Sequence, residues 1–171
     1  MKTELKAKFL QHLTQKKKNE GFTLIELLVV IIIIGILSAI ALPSFLNQAA
    51  KARGAEAKSN VGSMNRGQQA YFLQQQEFTS AVNQLGLSLK DSPNFAYTAA
   101  GSASTAVNFG TSLKDDIKSY SGGVFYTASN GTVEGFTEVI LCEANTPGKT
   151  AAATPADATA TGCTTDAKKV E

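Results

Sequence analysis

The apolar residues of this chain are concentrated in one uninterrupted run near its N-terminus. Residues 27–50 read LLVVIIIIGILSAIALPSFLNQAA and contain no charged side chain. As a helix this stretch would be about 36 Å long at about 1.5 Å per residue, enough to cross a hydrocarbon core of about 30 Å. A helix buried in a soluble protein of this size is rarely apolar on every face, so the run predicts a membrane-spanning helix.

The more polar sequence that follows keeps a helical period. Large or apolar side chains recur at spacings of four and three residues, on a single face: Ala57, Val61, Met64, Gln68 and Tyr71. We therefore expect one long helix over residues 22–74, of which residues 22–50 form the transmembrane or assembly part. Its outer half is expected to lay this face on a sheet. Glycines weaken that half, so packing must hold it in place.

Beyond the helix, residues 75–171 are predicted to form a globular head. Its first part reads as a loop with buried anchors at Phe78, Leu85, Leu87 and Leu89. Strand-forming runs follow at residues 95–98, 107–110, 124–127 and 132–133, the last continuing to 139–142. Asn130-Gly131 is a strong hairpin signal, because both residues readily adopt positive φ. The predicted class is α+β, with about four antiparallel strands packed on the long helix.

Charge separates the N-terminal segment from the rest of the chain. Residues 1–21 hold six lysines against Glu4 and Glu20, a net charge of +4. Since the whole chain carries +2, residues 22–171 carry −2. The basic segment predicts a leader that stays in the cytoplasm, which places everything after Asn47 outside. No direct binding of nucleic acid is predicted, because the acidic remainder has no basic aromatic face.

Histidine is confined to the basic leader, and this limits the available chemistry. His12 is the single histidine of the chain. Without the leader the chain has no imidazole for general base catalysis or metal ligation. The chain is therefore not expected to be an enzyme, and no cofactor or metal ion is expected.

The two cysteines, Cys142 and Cys163, lie 21 positions apart near the C-terminus. They would be free thiols in a reducing compartment, whereas outside the membrane a disulfide is the default. A disulfide there would stabilise the fold by about 3 kcal/mol in the chain-entropy model. It would also convert the alanine- and threonine-rich residues 146–165 into a closed surface loop.

An ordinary secretory signal is an alternative interpretation of the N-terminal segment. The basic region, the apolar region and the triplet Ala39-Ile40-Ala41 resemble a signal that is cut after Ala41. The apolar run continues past that site, however. Glu26 also lies at its start, where an ordinary signal gains nothing from a carboxylate.

Glu26 requires a physical reason, because a carboxylate facing hydrocarbon costs at least about 2.5 kcal/mol. One reason is a capping box with Thr23 at the start of the helix. Another is an ion pair. A cut between Gly21 and Phe22 would create a positive α-amine about one helical turn before Glu26, and the two charges would neutralise each other within one chain or between neighbours.

Residues 21–30, GFTLIELLVV, resemble the processing and assembly motif of type IV prepilins. The resemblance extends over residues 16–54. It is specific, because glycine, phenylalanine and glutamate stand at the family's spacing before an uninterrupted apolar helix. Residues 70–87 resemble the major pilins of cyanobacteria in particular.

This resemblance implies how the N-terminal segment is used. A membrane prepilin peptidase would cut after Gly21 and N-methylate Phe22, and the apolar segment would be retained. Glu26 would pair with the N-terminal amine of a neighbouring subunit and set the axial register. Gly35 and Pro43 match the family's helix-breaking positions, between which the helix of an assembled filament can lose helicity and let the rod stretch.

The predicted function is that of a type IV pilus subunit, located in the inner membrane as a precursor and then in an extracellular filament. Its implied partners are further copies of itself, the prepilin peptidase, the pilus assembly machinery at the inner membrane, and membrane lipid before assembly. The family's activities are surface motility, adhesion and DNA uptake. Two alternatives stay open: a pseudopilin of a type II secretion system, and a membrane-tethered binding domain that never polymerises.

Overall fold

The fold comes from a computed structural model, which describes residues 22–128, 135–149, 162–164 and 166–170. The chain divides into two compact units, and the division falls between Phe45 and Leu46. Helix α1, Leu24–Gln75, contributes residues to both units. The predicted α+β class is confirmed, because the chain combines a long N-terminal helix with an antiparallel sheet and a disulfide.

Among the described residues, the first unit contains the apolar part of α1 up to Phe45. Isoleucine and valine are only moderate helix formers in water, so propensity alone does not explain a helix here. In a hydrocarbon environment every backbone N–H and C=O must be satisfied within the segment, which favours a helix. By length and composition this helix is able to cross a membrane.

The second unit combines the remainder of α1 with a short 3₁₀ helix and five strands. The 3₁₀ helix is Val82–Leu85. The strands are β1 Phe95–Gly101, β2 Thr105–Ser112, β3 Tyr120–Thr127, β4 Phe136–Ala144 and β5 Ala167–Lys169.

The five strands form one antiparallel sheet in the order β1-β2-β3-β4-β5. The sequence predicts about four strands and does not indicate β5. This strand has only three residues, two of them lysines, and it pairs with the end of β4, where Cys142 faces Lys169. The predicted turn at Asn130-Gly131 lies outside the described residues.

One face of α1 packs on the sheet, as the helical period predicts. Ala57, Val61, Met64 and Gln68 have no accessible surface, and Tyr71 packs against the core as a half-buried residue. The sheet side of this cluster includes the buried rings of Phe95, Tyr97 and Tyr120. The loop anchors are also confirmed, since Phe78 and Leu85 are buried and Leu87 and Leu89 are half-buried.

Two glycines let α1 approach its neighbours closely. A Cβ at Gly54 would lie 2.7 Å from the hydroxyl of Tyr120, and a Cβ at Gly67 would lie 3.0 Å from the Cβ of Leu85. A side chain at either position would force the neighbouring atoms to shift. The lower helix propensity of glycine is therefore offset by closer packing.

Buried amides join α1 to the sheet and to the following loop. The Asn108 amide donates to Asn65 Oδ1 at 2.8 Å, and the Gln68 amide donates to Asn108 Oδ1 at 3.3 Å. Gln68 also donates to the Thr79 carbonyl at 2.7 Å and accepts from the Thr79 N–H at 3.1 Å. Asn65 donates to the Ile140 carbonyl at 3.2 Å. Because each partner is buried, these bonds fix how α1 lies on β2 and β4.

Candidate assembly site

The predicted capping box is present at the start of α1. Thr23 precedes the first helical residue, and its backbone N–H and its hydroxyl both donate to Glu26 Oε2 at 2.7 Å. In return the Glu26 N–H donates to Thr23 Oγ1 at 3.3 Å. The Glu26 carboxylate therefore caps the helix and holds the first turn in one conformation.

The apolar side chains of residues 22–46 form a continuous exposed surface along α1. Every large apolar residue between Phe22 and Leu46 is exposed, from 45% at Leu28 to 86% at Phe22. Monomeric soluble proteins rarely expose so much contiguous apolar area. This surface requires a nonaqueous environment, which is lipid or the apolar surface of other protein chains.

Gly35 and Pro43 both lie inside α1, which is continuous through them. Proline has no backbone N–H, so the carbonyl of Ala39 has no helical donor at Pro43. A Cβ added at Gly35 would meet no atom within 4 Å. No packing within the described chain therefore explains this glycine. Gly21, the predicted cleavage position, lies outside the described residues.

The predicted disulfide between Cys142 and Cys163 is confirmed, with the two Cα atoms 5.8 Å apart. Cys142 is fully buried on β4, where it packs with Phe125 and Ile140. Cys163 and Ala167 pack against the same cluster. The bond therefore holds the described C-terminal residues on the sheet. Residues 150–161 of the predicted surface loop lie outside the described residues.

A charged pocket of about 310 Å³ lies in the second unit, beside α1 and the adjoining ends of β3, β4 and β5. Glu143 lines it, with 19% of its side chain exposed. Its carboxylate accepts from Lys118 Nζ at 3.0 Å, and Lys168 Nζ lies 3.5 Å away. The Tyr120 hydroxyl donates to the same carboxylate at 3.4 Å. Lys51 also lines the pocket.

The pocket changes the titration of its own groups. Burial raises the pKa of Glu143, but the hydrogen bond and charge of Lys118, with a smaller effect of Lys168, outweigh burial and hold this pKa below its ordinary value. Burial, followed by the negative charge of Glu143, raises the pKa of Tyr120 to about 12. Glu143 is therefore ionised and Tyr120 neutral near neutral pH.

The sequence analysis did not identify this pocket. Its members come from residues 47–54, the loop before β3, and the ends of three strands, so no local motif contains them. The pairing of β3 with β4 places Tyr120 opposite Glu143, and this contact was the one signal that could have located the pocket. Finding it would have required the strand register, which is a property of the folded sheet.

Comparison with protein families supports the resemblance seen in the sequence. Residues 54–166 match the family described as type IV pilin-like G and H. Residues 16–42 match the prokaryotic N-terminal methylation motif. The family match covers more than half of the chain, which therefore belongs to the type IV pilin-like family.

Two individual relatives match over shorter stretches. The type IV major pilin protein PilA of Myxococcus xanthus is 35% identical over 86 residues, which are 50% of this chain and 39% of that protein. A fimbrial protein of Pseudomonas aeruginosa is 38% identical over 66 residues, 39% of this chain and 43% of the relative. The chain thus spans about two fifths of the length of these two relatives.

A fimbrial protein of Neisseria meningitidis serogroup B is 28% identical over 122 residues, 69% of this chain and 72% of that protein. None of these three organisms is a cyanobacterium. The resemblance of residues 70–87 to cyanobacterial major pilins therefore stays a prediction.

Proposed function

We propose that this chain is the structural subunit of a type IV pilus, held in the inner membrane as a precursor and then polymerised into an extracellular filament. The observation that carries the proposal is the exposed apolar surface between Phe22 and Leu46, which begins at the Thr23–Glu26 capping box. Residues 16–42, which include most of this segment, match the N-terminal methylation motif. Lipid would cover this surface in the precursor, and neighbouring helices would cover it in the filament.

Processing is proposed to follow the prepilin scheme. A prepilin peptidase would remove residues 1–21 by cutting after Gly21, and Phe22 would then be N-methylated. The mature subunit would consist of the long helix over residues 22–74 and the head over residues 75–171. The large exposure of Phe22, 86%, is compatible with access by a modifying enzyme.

Glu26 is proposed to set the axial register of the filament. A carboxylate buried among apolar helices is costly unless a positive charge pairs with it. The new amine at Phe22 would supply that charge, and pairing between neighbouring subunits would favour one axial offset. The Thr23–Glu26 bonds hold the carboxylate at the start of the helix in the unassembled chain.

Filament flexibility is proposed to arise between Gly35 and Pro43. Pro43 removes one helical hydrogen bond, and glycine has a low helix propensity. The absence of a packing role for Gly35 within the described chain agrees with this role. A helix that stays intact through residues 35–43 in the density of a stretched filament would contradict it.

The wider activities of the filament are also proposals. Surface motility, adhesion and DNA uptake are consistent with a type IV pilus, and the assembly machinery of the inner membrane would be a partner. Direct DNA binding by this subunit is not proposed, because residues 22–171 carry a net charge of −2. Within the type IV pilin-like family, we propose a relationship to the major pilins of cyanobacteria.

The intact mass and N-terminal sequence of protein sheared from the cell surface test the proposal directly. A chain that begins at methylated Phe22 is the expected result. A chain that begins at Leu42 would instead mean an ordinary signal and a secreted domain. A chain that retains Met1 and stays in the membrane fraction would mean a tethered domain that does not polymerise.

A further inference from the structure

We propose that the pocket around Glu143 binds the phosphate of an anionic phospholipid while the subunit is in the membrane. The proposal rests on the membrane-bound stage of the proposed function. It concerns the lysines that line the pocket, Lys51, Lys118 and Lys168, which the filament role does not use.

The pocket has more positive charge than its own carboxylates neutralise. The charged groups that line it are three lysines, Glu143 and Asp116, since Tyr120 is neutral near neutral pH. Glu143 serves both Lys118 and Lys168, and Asp116 pairs instead with Arg53 at 2.9 Å. Within the described part of the chain Lys51 makes no ion pair. A second anion in this pocket would therefore complete the charge pairing.

The position of the pocket in the chain points to lipid as the source of that anion. Lys51 follows Leu46, the last large residue of the exposed apolar run, by five positions. Five helical residues rise about 7.5 Å, which is close to the thickness of one headgroup layer. When residues 27–46 occupy the hydrocarbon core, Lys51 therefore lies at the depth of the lipid phosphates.

The chemistry of the lining suits a phosphate. Lysine binds phosphate as a compact point charge with three rotatable donors. The Lys168 side chain is 62% exposed, and Lys51 is exposed, so both are able to reach an incoming headgroup.

Native mass spectrometry of the full-length chain in mild detergent tests the proposal with short-chain phosphatidylglycerol, phosphatidylcholine and inorganic phosphate as separate probes. We expect phosphatidylglycerol to bind best. The double variant Lys51→Ala/Lys168→Ala should weaken it roughly tenfold to thirtyfold, from about fivefold per lysine at an anionic lipid surface. Lys169→Ala is the matched control and should leave binding unchanged, since Lys169 does not line the pocket.

A second variant separates a binding site from a structural cluster. Glu143→Gln removes the competing carboxylate, so we expect it to tighten phosphatidylglycerol binding while it lowers the melting temperature. A structural cluster predicts the lower melting temperature without tighter binding. The basic leader is present in every variant, so its own attraction for lipid cancels in the comparison.

Other outcomes would overturn the proposal. One is an unchanged affinity for phosphatidylglycerol in the double variant, and another is an equal loss of this affinity in Lys169→Ala. The third is inorganic phosphate that binds as tightly as the lipid, because the ligand would then be a soluble anion. Extraction of the wild-type chain from membranes by alkaline carbonate would instead contradict the proposed function. A chain that resists extraction but shows no lysine-dependent lipid binding contradicts this inference alone.

Discussion

At the scale of single residues, the second unit depends on close contacts that tolerate little change. Gly122 on β3 faces the amide of Asn65, which bonds in turn to Asn108 and to the Ile140 carbonyl. All the side chains involved are buried. A change at one backbone position therefore affects polar groups on the helix and on two strands.

Gly122→Ala is expected to destabilise the fold by about 2 kcal/mol, because the new Cβ would displace the Asn65 amide and leave buried polar groups without partners. Chemical denaturation measures this free energy of unfolding. Gly62→Ala is the matched control. Its Cβ would meet no atom within 4 Å, and it should be neutral or stabilise the helix by up to about 1 kcal/mol. Equal effects of the two substitutions would show that the Asn65 contact does not matter.

The raised pKa of Tyr120 predicts that the fold loses stability at alkaline pH. Its pKa is raised from 10.0 to about 12 in the folded chain, chiefly by burial, so the folded state keeps a proton that the unfolded state has lost between these values. Stability therefore falls as pH rises from about 10 towards about 12. Melting temperatures over this range test the effect. Tyr120→Phe should reduce the slope without abolishing it, because burial also raises the pKa of Tyr97. A slope identical to wild type would contradict the prediction.

At the scale of elements, the parts with strong periodicity were predictable and the parts defined by pairing were not. The helix followed from an uncharged run and a repeated spacing of three and four residues. Strands β1 to β4 followed from short runs of strand-forming residues. Strand β5 was not predicted, because Ala167–Lys169 is short and charged. Its pairing with β4 and the nearby disulfide hold it in the sheet.

The buried amides show a second limit at this scale. The helical spacing placed Gln68 correctly on the inner face, but it did not indicate that Asn65 and Asn108 would meet there. An asparagine in a sequence is more often exposed, and only the packed helix and sheet supply its partners. The Glu143 pocket was not predicted either, because four segments that are separate in the sequence line it and meet only in the folded chain.

Loss of the disulfide should weaken the attachment of the C-terminal segment to β4. The double variant Cys142→Ala/Cys163→Ala is expected to lower the free energy of unfolding by about 3 kcal/mol, from the entropy of a loop of this length. Chemical denaturation with and without a thiol reductant measures it. Reduction should destabilise the wild type by a similar amount and leave the double variant unchanged. A wild type indifferent to reduction would show that packing alone holds this segment.

At the scale of the whole molecule, the two units have different surfaces and therefore different requirements. The first unit exposes apolar side chains that water does not solvate well, whereas the second has its own core and buried polar bonds. The second unit accounts for its own stability. The first gains its environment from outside the chain, which is the physical basis for the proposed assembly.

Glu26→Gln tests this requirement at the one charged position of residues 22–50. Glutamine keeps the size of the side chain and its carbonyl still accepts from Thr23, so processing and membrane insertion should persist. The proposed filament would lose the charge that is proposed to pair with the amine at Phe22. Because an unpaired buried charge costs several kcal/mol, we expect the yield of sheared filaments to fall more than tenfold while the processed subunit accumulates in the membrane.

Glu77→Gln provides the control for this loss, since it removes the same charge from an exposed position beyond the end of α1. Its filament yield should equal that of the wild type. Normal filaments from Glu26→Gln would remove the register role and leave Glu26 as a helix cap alone. A precursor that is no longer cut in Glu26→Gln would instead place the carboxylate in recognition by the peptidase, so the mass of the membrane-bound subunit must be measured alongside the yield. The two measurements together separate a failure of processing from a failure of assembly, because only the second leaves a chain that begins at Phe22.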